Sequence, residues 1–160
     1  MAKGMLGIGE AVVPGSDDEA AWCRTLRDAV AGLVPQAVEM VLLSRDGLAR
    51  CGFGPCGRKE VEHYAAAGSA VAGLARQLSR PGPGGGDVHH IEVRTPEGWV
   101  VLAPLGQEVL LVVLPRTDSG GQPGASAVGD IARLATSLER QRAASRPAAA
   151  GFARQEARPA

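Results

Sequence analysis

Apolar residues recur along the chain with two distinct periods, and the switches between them lay out the elements. Trp22, Leu26, Ala29, Val30 and Leu33 stand three and four residues apart, the spacing of one helix face. Ser16-Asp17-Asp18-Glu19 supplies a start. A serine hydroxyl there can accept the N–H three residues on, Glu19 can reach back, and the acids suit the positive helix end. Pro35 turns the residue before it away from helical geometry, so the pattern predicts a helix over 17–33. Two runs rich in β-formers follow, Ala37–Ser44 and Leu48–Phe53, separated by Arg45-Asp46-Gly47. Glycine supplies the positive φ of a tight turn, so they predict a hairpin. After Gly54-Pro55-Cys56-Gly57, the residues Val61, Tyr64, Ala65, Gly68, Val71, Ala72, Ala75 and Leu78 mark one apolar face of a second helix over 58–79. Its many alanines and glycines permit close approach of another backbone.

Three more strands are predicted at Val88–Thr95, Trp99–Leu105 and Val109–Leu114, joined by Pro96-Glu97-Gly98 and Gly106-Gln107-Glu108. Connections so short force antiparallel neighbours. The first of the three alternates His89, Ile91 and Val93 with His90, Glu92 and Arg94, as a half-buried or edge strand does; the last is continuously apolar, which suits a strand covered on both faces. Val128, Ile131, Leu134, Ala135 and Leu138 mark a third helix with Arg140 and Arg142 near its end. The fold class is α+β: a five-stranded antiparallel sheet with helices on both faces, in the order α-β-β-α-β-β-β-α. Residues 1–15 read as a flexible N-terminal arm, 16–143 as the domain and 144–160 as a flexible C-terminal tail.

Composition sharpens this in a few respects. With 45% hydrophobic and 21% charged residues in 160, the chain can bury a core of its own. Seventeen basic and seventeen acidic side chains cancel, which removes the general cationic field of a non-specific nucleic-acid or anionic-membrane binder. The sequence shows neither an apolar run of membrane-spanning length nor a signal-peptide pattern, so a cytoplasmic location is expected. Three cysteines without an export signal then predict reduced thiols.

The segment from Trp22 through Leu33-Val34-Pro35 to Val41-Leu42-Leu43-Ser44-Arg45-Asp46-Gly47-Leu48 closely resembles the start of the Roadblock/dynein light-chain family. The likeness is strongest to its bacterial branch related to the gliding-motility protein MglB. Leu102-Ala103-Pro104-Leu105-Gly106 followed by Val109–Leu114 is similar to that family's fourth and fifth strands. The resemblance spans 17–142 and points to small actinobacterial members encoded beside a sensor-kinase-like protein and a Ras-like GTPase. It implies helices one and three on one sheet face and helix two on the other. It also implies a homodimer joined at the third strand, with the second helices side by side and their surface meeting the GTPase. On that basis the expected function is a non-enzymatic homodimeric regulator or scaffold for a Ras-like small GTPase. His63, Tyr64, Ala67, Val71 and Arg76 on helix two, and His90, Glu92 and Arg94 on the joining strand, form the expected dimer and partner surface. The sensor-kinase-like protein is a further expected partner; nucleic acid and membrane insertion are not expected.

Other chemistry fits less well. Cys51, Cys56, His63, His89 and His90 are residues zinc would take, but their spacing matches no zinc motif, and no metal or cofactor is expected. Gly54–Lys59 lacks the phosphate-loop spacing and a following Ser or Thr. Ser44 and Ser69 have no histidine at a motif-defining offset, and Cys56 with His63 would need a depressed thiol pKa. Asp46 has a sufficient role in the hairpin turn. Trp99 reads as core and Tyr64 as either core or interface. The alternative class, a small-ligand sensor of profilin, PAS or GAF type, needs a polar-lined cavity; the apolar fifth strand and the lack of buried polar candidates count against it.

Overall fold

The computed structural model describes residues 15–79, 87–116 and 125–145. Eight elements follow in the predicted order: α1 (Asp17–Leu33), β1 (Glu39–Ser44), β2 (Ala49–Phe53), α2 (Arg58–Leu78), β3 (Ile91–Thr95), β4 (Gly98–Leu105), β5 (Glu108–Pro115) and α3 (Ala125–Ser145). All strand pairs are antiparallel, and the sheet order is β2-β1-β5-β4-β3. The arm over 1–14 and the tail over 146–160 lie outside the described residues, while Gly15, Ala144 and Ser145 lie within them.

Local chemistry places each boundary. At α1 the Ser16 hydroxyl accepts the Glu19 N–H at 3.2 Å, and Glu19 reaches back to the Gly15 N–H at 3.1 Å, one residue earlier than the cap itself. The β1–β2 turn uses Gly47 at φ 89°. Ser44 Oγ donates to the Asp46 carboxylate and accepts the Leu48 N–H at 3.1 Å. That hydroxyl holds the Asp46 pKa below its ordinary value, so Asp46 works within the turn. The same hairpin is tied outward: Ser69 Oγ of α2 donates to the Arg45 carbonyl at 2.5 Å, and Arg45 Nη2 to the Gly106 carbonyl at 3.0 Å.

Side-chain alternation sorts the sheet into two cores. Met40, Leu42, Val101, Ala103, Leu110, Val112 and Leu114 face α1 and α3, meeting Leu26, Val30, Ile131 and Leu138. Val41, Leu43, Leu102, Val109 and Leu111 face α2, meeting Val61, Ala65 and Ala72. The central strands β1 and β5 are covered on both sides, which is why they read as predominantly apolar runs, with Glu39 the charged exception in β1.

Three expectations change. Cys23 of α1 and Cys51 of β2, both fully buried, form a disulfide with Cα atoms 6.4 Å apart, where reduced thiols were expected. Cysteine number says nothing of which sulfurs meet, whereas docking α1 on β2 is what brings these two together. β3 begins at Ile91, so His89 and His90 precede it and both are exposed. Leu78, assigned above to the inner face of α2, is 75% exposed, because the last turn of the helix lies beyond the apolar cluster beneath it.

Candidate protein-interaction surface

Helix α2 opens at Gly57 with no side-chain cap, carries Glu60 in its first turn and Arg76 in its last, and is braced by an Arg58–Glu62 pair at 2.8 Å. Its inner face is Val61, Ala65, Gly68 and Ala72. Gly68 sets the closeness of approach: a Cβ there would stand 3.1–3.4 Å from side-chain carbons of Leu111, Leu102 and Leu43. Beside this inner face, α2 carries an apolar stripe that is unpartnered among the described residues. Ala67, Leu74 and Leu78 are exposed, the leucines by 58% and 75%, with half-buried Val71 on the flank. Leu74 was missed in sequence and Leu78 was read with the inner face, although the spacing 67, 71, 74, 78 is itself a helical period that would have found the stripe.

The predicted site residues divide between two faces. Tyr64 and Val71 join the same apolar cluster as Ile91 and Val93 of β3, and Arg76 borders a crevice with Val88 and Ile91. His63 and Ala67 are exposed on α2. Glu92 and Arg94, alternating with Ile91 and Val93, point to the α1/α3 side, where Arg94 lies over the Trp99 ring at 5.6 Å. His90 Nε2 is 3.1 Å from Glu92 Oε1. Trp99, read as core, is half-buried against the α1/α3 cluster. Tyr64, Val71, Arg76, His90, Glu92 and Arg94 thus gather at or beside β3, an edge strand among the described residues.

Below the start of α2 lies a group that the sequence did not single out. Glu39, on the α2 side of β1, is 2% exposed, so buried polar candidates exist after all. Its Oε2 accepts the Cys56 N–H at 3.3 Å, while its Oε1 meets no hydrogen-bond partner among the described residues. Gly54, at φ 139°, leaves room for this carboxyl, since a Cβ there would strike both it and the Val38 carbonyl. Burial raises the Glu39 pKa above the ordinary 4.5, and the Cys56 contacts oppose that only in part. Burial and the neighbouring Glu39 push the Cys56 thiol up to about 11, the reverse of an activated nucleophile. Burial likewise raises Tyr64. Among the described residues no group of three His, Cys, Asp or Glu is placed to hold a metal.

A proton on Glu39 is held more firmly in the folded than in the unfolded chain. The stability it contributes is full below pH 4.5 and is lost as pH rises through the folded value. Glu39→Gln should therefore give a flatter stability–pH curve, losing less than wild type between pH 4 and 8. Urea midpoints across that range check this; parallel curves would show that the carboxyl does not titrate abnormally.

Comparison with known proteins agrees with this architecture. The Roadblock/LC7 domain matches residues 30–115. A Roadblock/LC7 domain from Streptomyces avermitilis superposes with a TM-score of 0.58 at 24% identity, over 72% of this chain and 93% of that one. MglB from Myxococcus xanthus superposes with a TM-score of 0.55 at 14% identity, over 83% and 96%. An MglB structure with a tetrameric arrangement gives 0.58 at 15% identity, over 81% and 96%. No curated protein matches the chain. The chain belongs to the Roadblock/LC7 family. Among the described residues no helix is long and apolar enough to cross a membrane.

Proposed function

We propose that this protein is a non-enzymatic, homodimeric regulator or scaffold that binds a Ras-like small GTPase in a bacterial signalling system, in the cytoplasm. The observation that carries the reading is the apolar stripe on α2 of exposed Ala67, Leu74 and Leu78 flanked by half-buried Val71, on the sheet face that ends at β3, an edge strand among the described residues. Exposed leucines four residues apart on one helix suit a protein partner, since burying them removes apolar area from water. The raised Cys56 pKa supports the non-enzymatic reading for the thiol. The groove at the β4–β5 turn, bordered by Arg45, Arg76, Glu108 and Glu139, lies at the surface, unlike the internal polar-lined cavity that a small-ligand sensor requires.

The test is light-scattering mass of the purified protein, alone and mixed with the small GTPase encoded nearest its gene, loaded with GDP or a non-hydrolysable GTP analogue. A dimer that gains mass with one nucleotide state supports the reading. A monomer indifferent to both defeats it.

A further inference from the structure

The free edge of β3 carries more information than its availability. Thr95 is paired with Gly98 across a two-residue turn, and Arg94 with Trp99. The Glu97 carbonyl turns toward β5, accepting the Arg116 N–H at 2.9 Å. Because backbone groups alternate sides along a strand, Gly98 turns toward β3 and Trp99 toward β5 again. Arg94, opposite Trp99, therefore presents its N–H and C=O outward, and so does Glu92 two residues earlier.

Consider two copies whose β3 edges pair antiparallel about a two-fold axis normal to the sheet, with both α2 helices on one side. Matching faces and outward groups leave three central registers: Glu92 opposite Glu92, Val93 opposite Val93, or Arg94 opposite Arg94. The backbone accepts all three, so side chains decide. The first sets two carboxylates together and places Arg94 beside His90; the third sets two guanidiniums together. The middle register places each Glu92 opposite the second copy's Arg94, twice by symmetry, and directly opposed unlike charges favour pairing where like charges oppose it. It also sets Val93 on Val93 on the α2 side, where Ile91, Val93 and Val100 are only half-buried because α2 lies mainly over β1, β2 and β5.

We propose that Glu92 and Arg94 act as the register and self-selection pair of a β3–β3 contact between two copies of this chain, aligning Val93 with Val93. This rests on the homodimer reading above and adds which copies pair and how. The occupant is a second copy because the edge is complementary to itself in charge and in apolar face at the same register. A relative with two like charges at these positions would set one unlike pair against one like pair and so bind this chain more weakly than a second copy does.

The test uses sedimentation equilibrium on the full chain. Glu92→Arg or Arg94→Glu alone should each weaken self-association by about tenfold or more, while the double exchange should return it to within about threefold of wild type. Mixed one to one, the two single variants should form a heterodimer, since all facing charges are then unlike. In a Cys56→Ser background, Val93→Cys should cross-link on mild oxidation, because a non-hydrogen-bonded pair brings its Cα atoms to about 4.5 Å, within disulfide reach. A wild-type dimer whose double exchange stays as weak as the single variants, or whose Val93→Cys variant fails to cross-link, overturns the register and leaves the dimer standing. A monomeric wild type overturns the pairing and the homodimer reading together.

Discussion

Two carboxylates introduced by Ala67→Glu and Val71→Glu should abolish GTPase recruitment, weakening it by about 100-fold or more, while the chain stays folded. Four residues apart on α2, they stand beside exposed Leu74, and a partner seated on that stripe would have to bury both charges. An uncompensated buried carboxylate costs several kcal/mol, ample for a loss of that size. The substitutions differ in their cost to the chain itself. Ala67 is exposed and its replacement is close to neutral, whereas half-buried Val71 packs with the α2 cluster and its replacement should cost about 1–2 kcal/mol of stability. Ala67→Glu alone therefore serves as the structurally silent variant, and Ser137→Glu, exposed on α3 across the sheet, as the control that keeps recruitment. Binding titrations with the GTPase, alongside thermal melts, check the set. Full binding by the folded double variant would move the partner surface off α2.

Reduction of the Cys23–Cys51 bond should lower unfolding free energy by about 3–4 kcal/mol, the loop-closure value for a bridge between residues 28 apart. Both sulfurs are fully buried, so reductant reaches them mainly when the chain opens. Urea unfolding with and without dithiothreitol measures the difference, and thiol titration under denaturing, non-reducing conditions should find one free thiol, Cys56. Three free thiols together with unchanged urea midpoints would remove the bond from the account. The strand it holds is the outermost on its side of the sheet, so the loss should fall first on the β2 edge and the N-terminal half of α1. Hydrogen exchange would locate it there.

Most of the architecture was legible in sequence because its signals are local. Asp46-Gly47 between apolar runs, the Ser16 cap and short connections each fix an element from a few neighbouring residues, and the continuous apolarity of β5 foretold its central place. What escaped depends on distant partners. Cys23 and Cys51 become neighbours only when α1 docks on β2, and Glu39 becomes a buried acid only when the Gly54–Cys56 loop folds over it. Leu78 matched the inner-face period, yet its exposure depends on where the sheet beneath stops. The candidate surface was half legible. Helix two and the third strand were named, but not that Glu92 and Arg94 face away from α2, nor that Leu74 belongs to the stripe.

The placing of β5 between β1 and β4 has a consequence for how the chain reaches this state. Leu42 must find Leu110, and Met40 must find Val112, before the middle of the sheet exists. On the ribosome, the β1–β2 hairpin and α2 emerge long before that partner strand, leaving a largely apolar strand with one edge bare. Pairings so remote in sequence slow folding and lengthen the interval in which unpaired edges invite aggregation. Nascent chains halted before Glu108 should therefore be poorly soluble and dependent on chaperones, with the sheet closing only as β5 clears the exit tunnel.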